Sequence, residues 1–74
     1  MSQFNEPTNL TADDKREDLD VFDRAGLDEV HAARFQKPWL AQYASGTVVQ
    51  FDTEDQACAF QAEHRARYNV AVAA

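Results

Sequence analysis

The chain has 74 residues and carries 13 acidic against 7 basic side chains, a formal net charge of −6. A chain of this length has room for one domain with a modest core. Its single cysteine excludes an internal disulfide, and the acidic balance disfavours direct binding to nucleic-acid phosphates. The first residues lack a signal-peptide pattern and no apolar run is long enough to cross a bilayer, so we expect a cytoplasmic protein.

The N-terminal part is predicted to be a flexible end followed by a weakly anchored helix. Residues 1–10 are polar, contain Pro7 and show no periodicity, so we expect a flexible N-terminus before a single small domain over residues 11–74. Thr8 or Thr11 can cap a helix over residues 12–25, in which apolar side chains are sparse. Most of this helix is therefore predicted to face solvent.

A second short helix is predicted after Gly26. Gly26 is expected to act as a left-handed cap, and residues 27–37 form an amphipathic run that Pro38 closes. Two helices joined at a glycine are typical of a helix-turn-helix. Phe22 stands where that motif needs a small side chain, and the second helix would open with acids rather than bases. This motif is therefore the least favoured interpretation.

A β-hairpin is predicted over residues 39–52. A two-residue Ser45-Gly46 loop would place Tyr43 opposite Val48 and Leu40 opposite Phe51. Because alternate side chains point to opposite faces, this register predicts two half-apolar faces. One face would carry Trp39, Ala41, Tyr43 and Val48, and the other would carry Leu40, Ala44, Val49 and Phe51.

A capped helix is predicted directly after the hairpin. Thr53 and Gln56 have the spacing of a capping box, and Asn69 can end the helix as a left-handed cap. One helical stripe, formed by Ala57, Phe60, His64 and Tyr68, is predicted to cover the hairpin. A second stripe of small residues, formed by Cys58, Ala59, Ala62 and Ala66, is predicted to approach another helix or a second molecule.

The predicted fold class is therefore α+β. It consists of N-terminal helices, a β-hairpin and a C-terminal helix, with a short third strand where Val70 and Val72 alternate or, equally, a frayed tail there.

Catalytic and metal-binding chemistry is not expected. Cys58 and His64 point away from each other on one helix, and Asp28-x-x-His31 has no second ligand pair to complete a metal site. His64 is predicted to be partly buried, with a backbone or hydroxyl partner. We therefore expect no enzyme activity, no cofactor and no metal.

The surplus charge lies entirely in residues 1–29, which hold nine acids against three bases. These acids form either a solvated face or a docking surface for a protein with a basic surface. Trp39 and Tyr43 are either core, covered by the first helices, or part of the same interface. The predicted partner-binding residues are Asp13, Asp14, Glu17, Asp18, Asp20, Asp23, Asp28, Glu29, Trp39 and Tyr43.

Residues 39–73 are predicted to form a hairpin, an alanine-rich capped helix and a closing strand in a small acidic protein. This layout resembles that of several small phage-encoded proteins that bind host machinery such as RNA polymerase or CRISPR complexes. The resemblance is one of size, charge and layout. It implies a non-catalytic inhibitor or regulator of a nucleic-acid-handling complex, with no membrane and no direct nucleic-acid contact. The alternatives are a homo-oligomeric structural subunit, a homodimer included, and the helix-turn-helix regulator.

Overall fold

A computed structural model describes residues 6–70, and it has a three-stranded antiparallel sheet with one long helix across a face. The strand order β1-β2-β3 follows the chain. The predicted α+β class is confirmed. The elements are helix α1 (Ala12–Arg16), strand β1 (Asp20–Asp23), a 3-10 turn (Arg24–Gly26), helix α2 (Glu29–Ala32), strands β2 (Trp39–Gln42) and β3 (Val48–Phe51), and helix α3 (Glu54–Tyr68).

The predicted hairpin is present, but its register is shifted by one residue. Trp39 pairs with Phe51 and Ala41 pairs with Val49. The Tyr43 N–H donates to the Thr47 carbonyl at 2.8 Å, which leaves a three-residue loop over residues 44–46 instead of the predicted two-residue loop. Gly46 allows this loop because its φ of +100° lies in the left-handed region.

The register shift gathers the large apolar side chains on one face. Directly opposed residues share a face, so Trp39, Ala41 and Tyr43 now lie beside Val49 and Phe51. This face meets α3 and forms the core, whose buried residues are Leu19, Ala41, Tyr43, Phe51, Ala57 and Phe60. The predicted division of the hairpin into two half-apolar faces was wrong, because it depended on the loop length.

Helix α3 follows its prediction closely. The Thr53 side chain accepts a hydrogen bond from the Gln56 N–H at 3.2 Å, and Asn69 ends the helix with a φ of 52°. Gln56 Oε1 accepts from the Asp52 N–H at 3.0 Å, one residue before the expected partner. Of the predicted stripe, Ala57, Phe60 and His64 are buried and Tyr68 is half-buried, so the stripe is confirmed for its first three residues.

The helix predicted over residues 12–25 is wrong beyond its first turn. Thr11 caps α1 as predicted, but α1 ends at Arg16, and residues 20–23 form the edge strand β1. Phe22 pairs with Leu40 of β2 in this strand. Aromatic and β-branched side chains gain more from a pleated, half-buried surface than from a solvent-exposed helix.

The third strand of the described sheet is β1, whereas the short C-terminal strand was predicted at Val70 and Val72. Val70 is outside any strand, and Val72 lies outside the described residues. Within the predicted flexible N-terminus, Leu10 packs partly buried against the core, and Glu6 accepts hydrogen bonds from α3.

Residues 24–38 cover the second face of the sheet, where Leu40 is completely buried. Gln50 Oε1 on β3 accepts hydrogen bonds from the N–H groups of Gln36 and Lys37 at 2.7 and 3.1 Å. Only residues 29–32 of the second predicted helix are helical, and Gly26 lies in the 3-10 turn without a positive φ. A strand, a 3-10 turn and a one-turn helix cannot form a helix-turn-helix, so that interpretation was wrong.

Candidate functional site

The acidic side chains proposed for partner binding divide into two groups. Some are bound within the fold, and others are exposed to solvent in α1, around β1 and at the start of α2. Which group a carboxylate belongs to decides whether it is available to a partner.

Asp14 belongs to the fold. Its carboxylate is fully buried and accepts hydrogen bonds from the Thr11 N–H at 3.0 Å, the Ser45 N–H at 2.8 Å and the Ser45 hydroxyl at 3.0 Å. Burial alone would raise the pKa of Asp14, but these hydrogen bonds outweigh it and lower the pKa below its ordinary value. Asp14 therefore joins α1 to the hairpin loop and is not accessible to a partner.

Asp18 is also bound within the molecule. Its two carboxylate oxygens accept from Arg65 Nε at 2.9 Å and Arg65 Nη2 at 2.7 Å, a two-pronged contact that fixes the chain before β1 to α3. The hydrogen bonds from Arg65 lower the pKa of Asp18. Beside this pair, His64 Nε2 lies 2.9 Å from the Glu17 carbonyl oxygen, so the predicted backbone partner of His64 is confirmed.

Three exposed acids make local contacts. Asp13 contacts Arg16, and Asp23 accepts a hydrogen bond from the Ala25 N–H at 2.9 Å. Asp28 caps α2 by accepting from the His31 N–H at 2.9 Å and lies 2.9 Å from His31 Nδ1. The main-chain N–H and the ring of His31 lower the pKa of Asp28. These bonds order the turns but leave the carboxylates at the surface.

The candidate site is a group of four exposed carboxylates that we call the acidic edge: Glu17, Asp20, Asp23 and Glu29. Asp20 and Asp23 are the two ends of β1, Glu17 precedes the strand, and Glu29 lines a cavity of about 340 Å³ together with Asp23. Within residues 6–70 none of the four carboxylates forms an ion pair. Their charge is therefore available to an incoming cation.

The two aromatic residues of the predicted interface lie on the helix-covered face. Tyr43 is 2% exposed and packs against Phe60 and His64, with ring centroids 6.3 and 5.5 Å away. Of the two predicted alternatives, Tyr43 is core, but α3 covers it and not the first helices, because the register shift turns this face toward α3. Trp39 is half-buried at the margin of the core.

The small stripe of α3 is on the outer side of the helix. Cys58, Ala62 and Ala66 are exposed and Ala59 is half-buried. Over the described part of the chain, histidine, cysteine and carboxylate side chains do not gather into a group able to hold a metal ion. No helix between residues 6 and 70 combines the length and apolarity that crossing a bilayer requires.

Sequence reasoning missed both the edge strand and the hydrogen bonds between Asp14 and Ser45. The strand had a readable signal, since the β-forming residues Val21 and Phe22 stand side by side between two aspartates. The hydrogen bonds between Asp14 and Ser45 had no sequence signal, because 31 positions separate the two residues. Comparison with protein-family models, with curated proteins and with solved structures found no match to the chain.

Proposed function

We propose that this protein acts without catalysis, by binding the basic surface of another protein through the acidic edge. The observation that supports this most is the separation of the acids. Asp14 and Asp18 are bound within the fold, whereas the four carboxylates of the acidic edge are exposed and form no ion pair among residues 6–70. A net charge of −6 adds long-range attraction toward a basic partner.

The proposed target is a nucleic-acid-handling protein complex in the cytoplasm, such as RNA polymerase or a CRISPR complex. A surface that holds nucleic acid is basic, so an acidic protein can compete for it. The same charge makes direct binding of this chain to nucleic acid unfavourable. The resemblance in size, charge and layout to small phage-encoded inhibitors favours the same class of target.

Purified complexes test the proposal directly. Transcription by bacterial RNA polymerase, and target-DNA binding by a CRISPR complex, are measured with increasing amounts of the protein at low and at high salt. We expect inhibition of at least one complex that weakens as salt rises, because salt screens exposed charges. Unchanged activity of both complexes at low salt would contradict the proposed target class.

The alternative function is a homo-oligomeric structural subunit that packs through the small stripe. The exposure of Cys58, Ala62 and Ala66 leaves that face of α3 open to a second copy. Sedimentation velocity separates the two functions, since a monomer at all micromolar concentrations excludes the oligomer and a concentration-dependent dimer favours it.

A further inference from the structure

We propose that strand β1 receives its partner as a fourth strand: an extended segment rich in lysine or arginine pairs with the free edge of the sheet. This inference rests on the proposed function and makes it more specific. It names the element that binds and the conformation that the partner adopts.

The hydrogen-bond pattern identifies the open main-chain groups of β1. The Tyr43 N–H is directed at β3, so by alternation Leu40 and Gln42 direct their main-chain groups at β1. Phe22 and Asp20 face these two residues in the register. The main-chain groups of Val21 and Asp23 must therefore point away from the sheet.

The outward main-chain carbonyl just before β1 is bound within the molecule. The Leu19 carbonyl, two residues before Val21, accepts a hydrogen bond from Gln61 Nε2 of α3 at 2.7 Å. No contact of this kind reaches the main chain of Val21 in the described part of the molecule. Among residues 6–70, the edge is thus bound at its start by Gln61 and open from Val21 onward.

The charges beside the open edge select the partner. Asp20 and Asp23 stand at the two ends of β1, and both are exposed. Two copies of this edge would bring aspartates together, so self-pairing is disfavoured, whereas a strand with lysine or arginine at matching positions is favoured. β3, the opposite edge of the sheet, has no charged residue between Gly46 and Phe51. The β3 edge therefore has no charge preference for a basic strand.

A short synthetic peptide of alternating lysine and valine provides the probe. The full chain, labelled with ¹⁵N, is titrated with the peptide while affinity is measured by calorimetry. We expect the amides of Val21 and Asp23 to shift and to become protected from hydrogen exchange, with smaller changes at Val48 and Gln50. Binding that leaves the β1 amides unchanged would overturn the inference while the proposed function stands.

A second peptide separates strand pairing from simple charge attraction. It carries the same lysines but has an N-methyl group at every position, which blocks main-chain donation from both edges of the strand without changing charge. Loss of the donors that face β1 should weaken binding about fivefold to tenfold. Equal affinity of the two peptides would refute strand addition and leave a diffuse electrostatic contact.

Variants of the chain complete the test. Val21→Pro removes the outward N–H at a position where proline is tolerated, because that N–H makes no ladder bond. Val48→Pro makes the matched change on the opposite edge. We expect Val21→Pro to weaken binding of the unmodified peptide about fivefold and Val48→Pro to leave it unchanged, with folding of both checked by circular dichroism. Equal effects of the two variants would contradict the assignment of β1 as the edge that pairs with the peptide. If either variant fails to fold, the comparison of the two peptides on the wild-type chain still tests the inference.

Discussion

Tyr43→Phe should make the protein more stable. The Tyr43 hydroxyl is buried and has no hydrogen-bond partner among the described residues, while the ring packs edge-on against Phe60 and His64. Phenylalanine keeps the ring contacts and removes the desolvated hydroxyl. Removing an unsatisfied buried polar group of this kind is worth about 1 kcal/mol or more. For a domain of this size, that gain raises the melting temperature by roughly 5 °C.

Tyr68→Phe is the matched control for this change. The Tyr68 hydroxyl lies 2.8 and 2.7 Å from the two carboxylate oxygens of Glu6, so its removal should lower the free energy of unfolding by about 1 kcal/mol. Urea and thermal denaturation followed by circular dichroism measure both variants. A loss of stability in Tyr43→Phe comparable to that in Tyr68→Phe would refute the burial of an unpaired hydroxyl.

Alkaline pH gives an independent measurement on the same residue. Burial raises the pKa of Tyr43 from its ordinary 10.0 to about 12. Because the pKa is higher in the folded state, the unfolded state loses the phenol proton first. The part of the free energy of unfolding that depends on Tyr43 ionisation is therefore constant below pH 10.0 and falls as pH rises toward about 12. Wild type should therefore lose stability over this range by more than Tyr43→Phe does, and parallel pH profiles would contradict the assignment.

Three further predictions concern the turns and ion pairs. Gly46→Ala should cost about 1 kcal/mol, because alanine is strained at φ +100°, whereas Gly26→Ala should be neutral or slightly stabilising; equal urea midpoints would contradict the loop conformation. Thr53→Ala should lower the free energy of unfolding by about 1 kcal/mol through loss of the α3 cap, and an unchanged melting temperature would count against it. Arg65→Gln should raise the pH of acid unfolding. The depressed pKa of Asp18 stabilises the fold at pH values above the ordinary pKa of an aspartate, and this contribution is lost as pH falls. An unchanged midpoint of acid unfolding would contradict a stabilising Asp18–Arg65 pair.

The C-terminal half was predictable because its signals are local. The Thr53 cap, the stripe through Phe60 and His64, and the Asn69 cap all lie within one helix and its two ends. The hairpin strands were equally readable from their β-forming residues. Their register was not, because it depends on whether Gly46 closes a two- or a three-residue loop, and both fit the sequence.

The N-terminal half was not predictable because its structure depends on distant partners. β1 is a strand through its pairing with β2, and Asp14 is buried through contact with Ser45. For the same reason, the sequence presented the acids as one docking set. Only the fold separates Asp14 and Asp18 from the exposed acidic edge.

We propose that the acidic edge, and not the total negative charge, binds the partner. Two variants that each remove two negative charges test it: Asp20→Asn with Asp23→Asn on β1, and Glu54→Gln with Asp55→Asn in the first turn of α3. Asparagine at position 23 can still accept the Ala25 N–H, so the turn is preserved.

The decisive measurement is retention of protein from a nuclease-treated bacterial lysate by immobilised wild type and by each variant at low salt. We predict that wild type and the α3 variant retain the same basic protein, and that the β1 variant loses it. Equal retention by all three proteins, or equal loss from both variants, would contradict a role for the acidic edge.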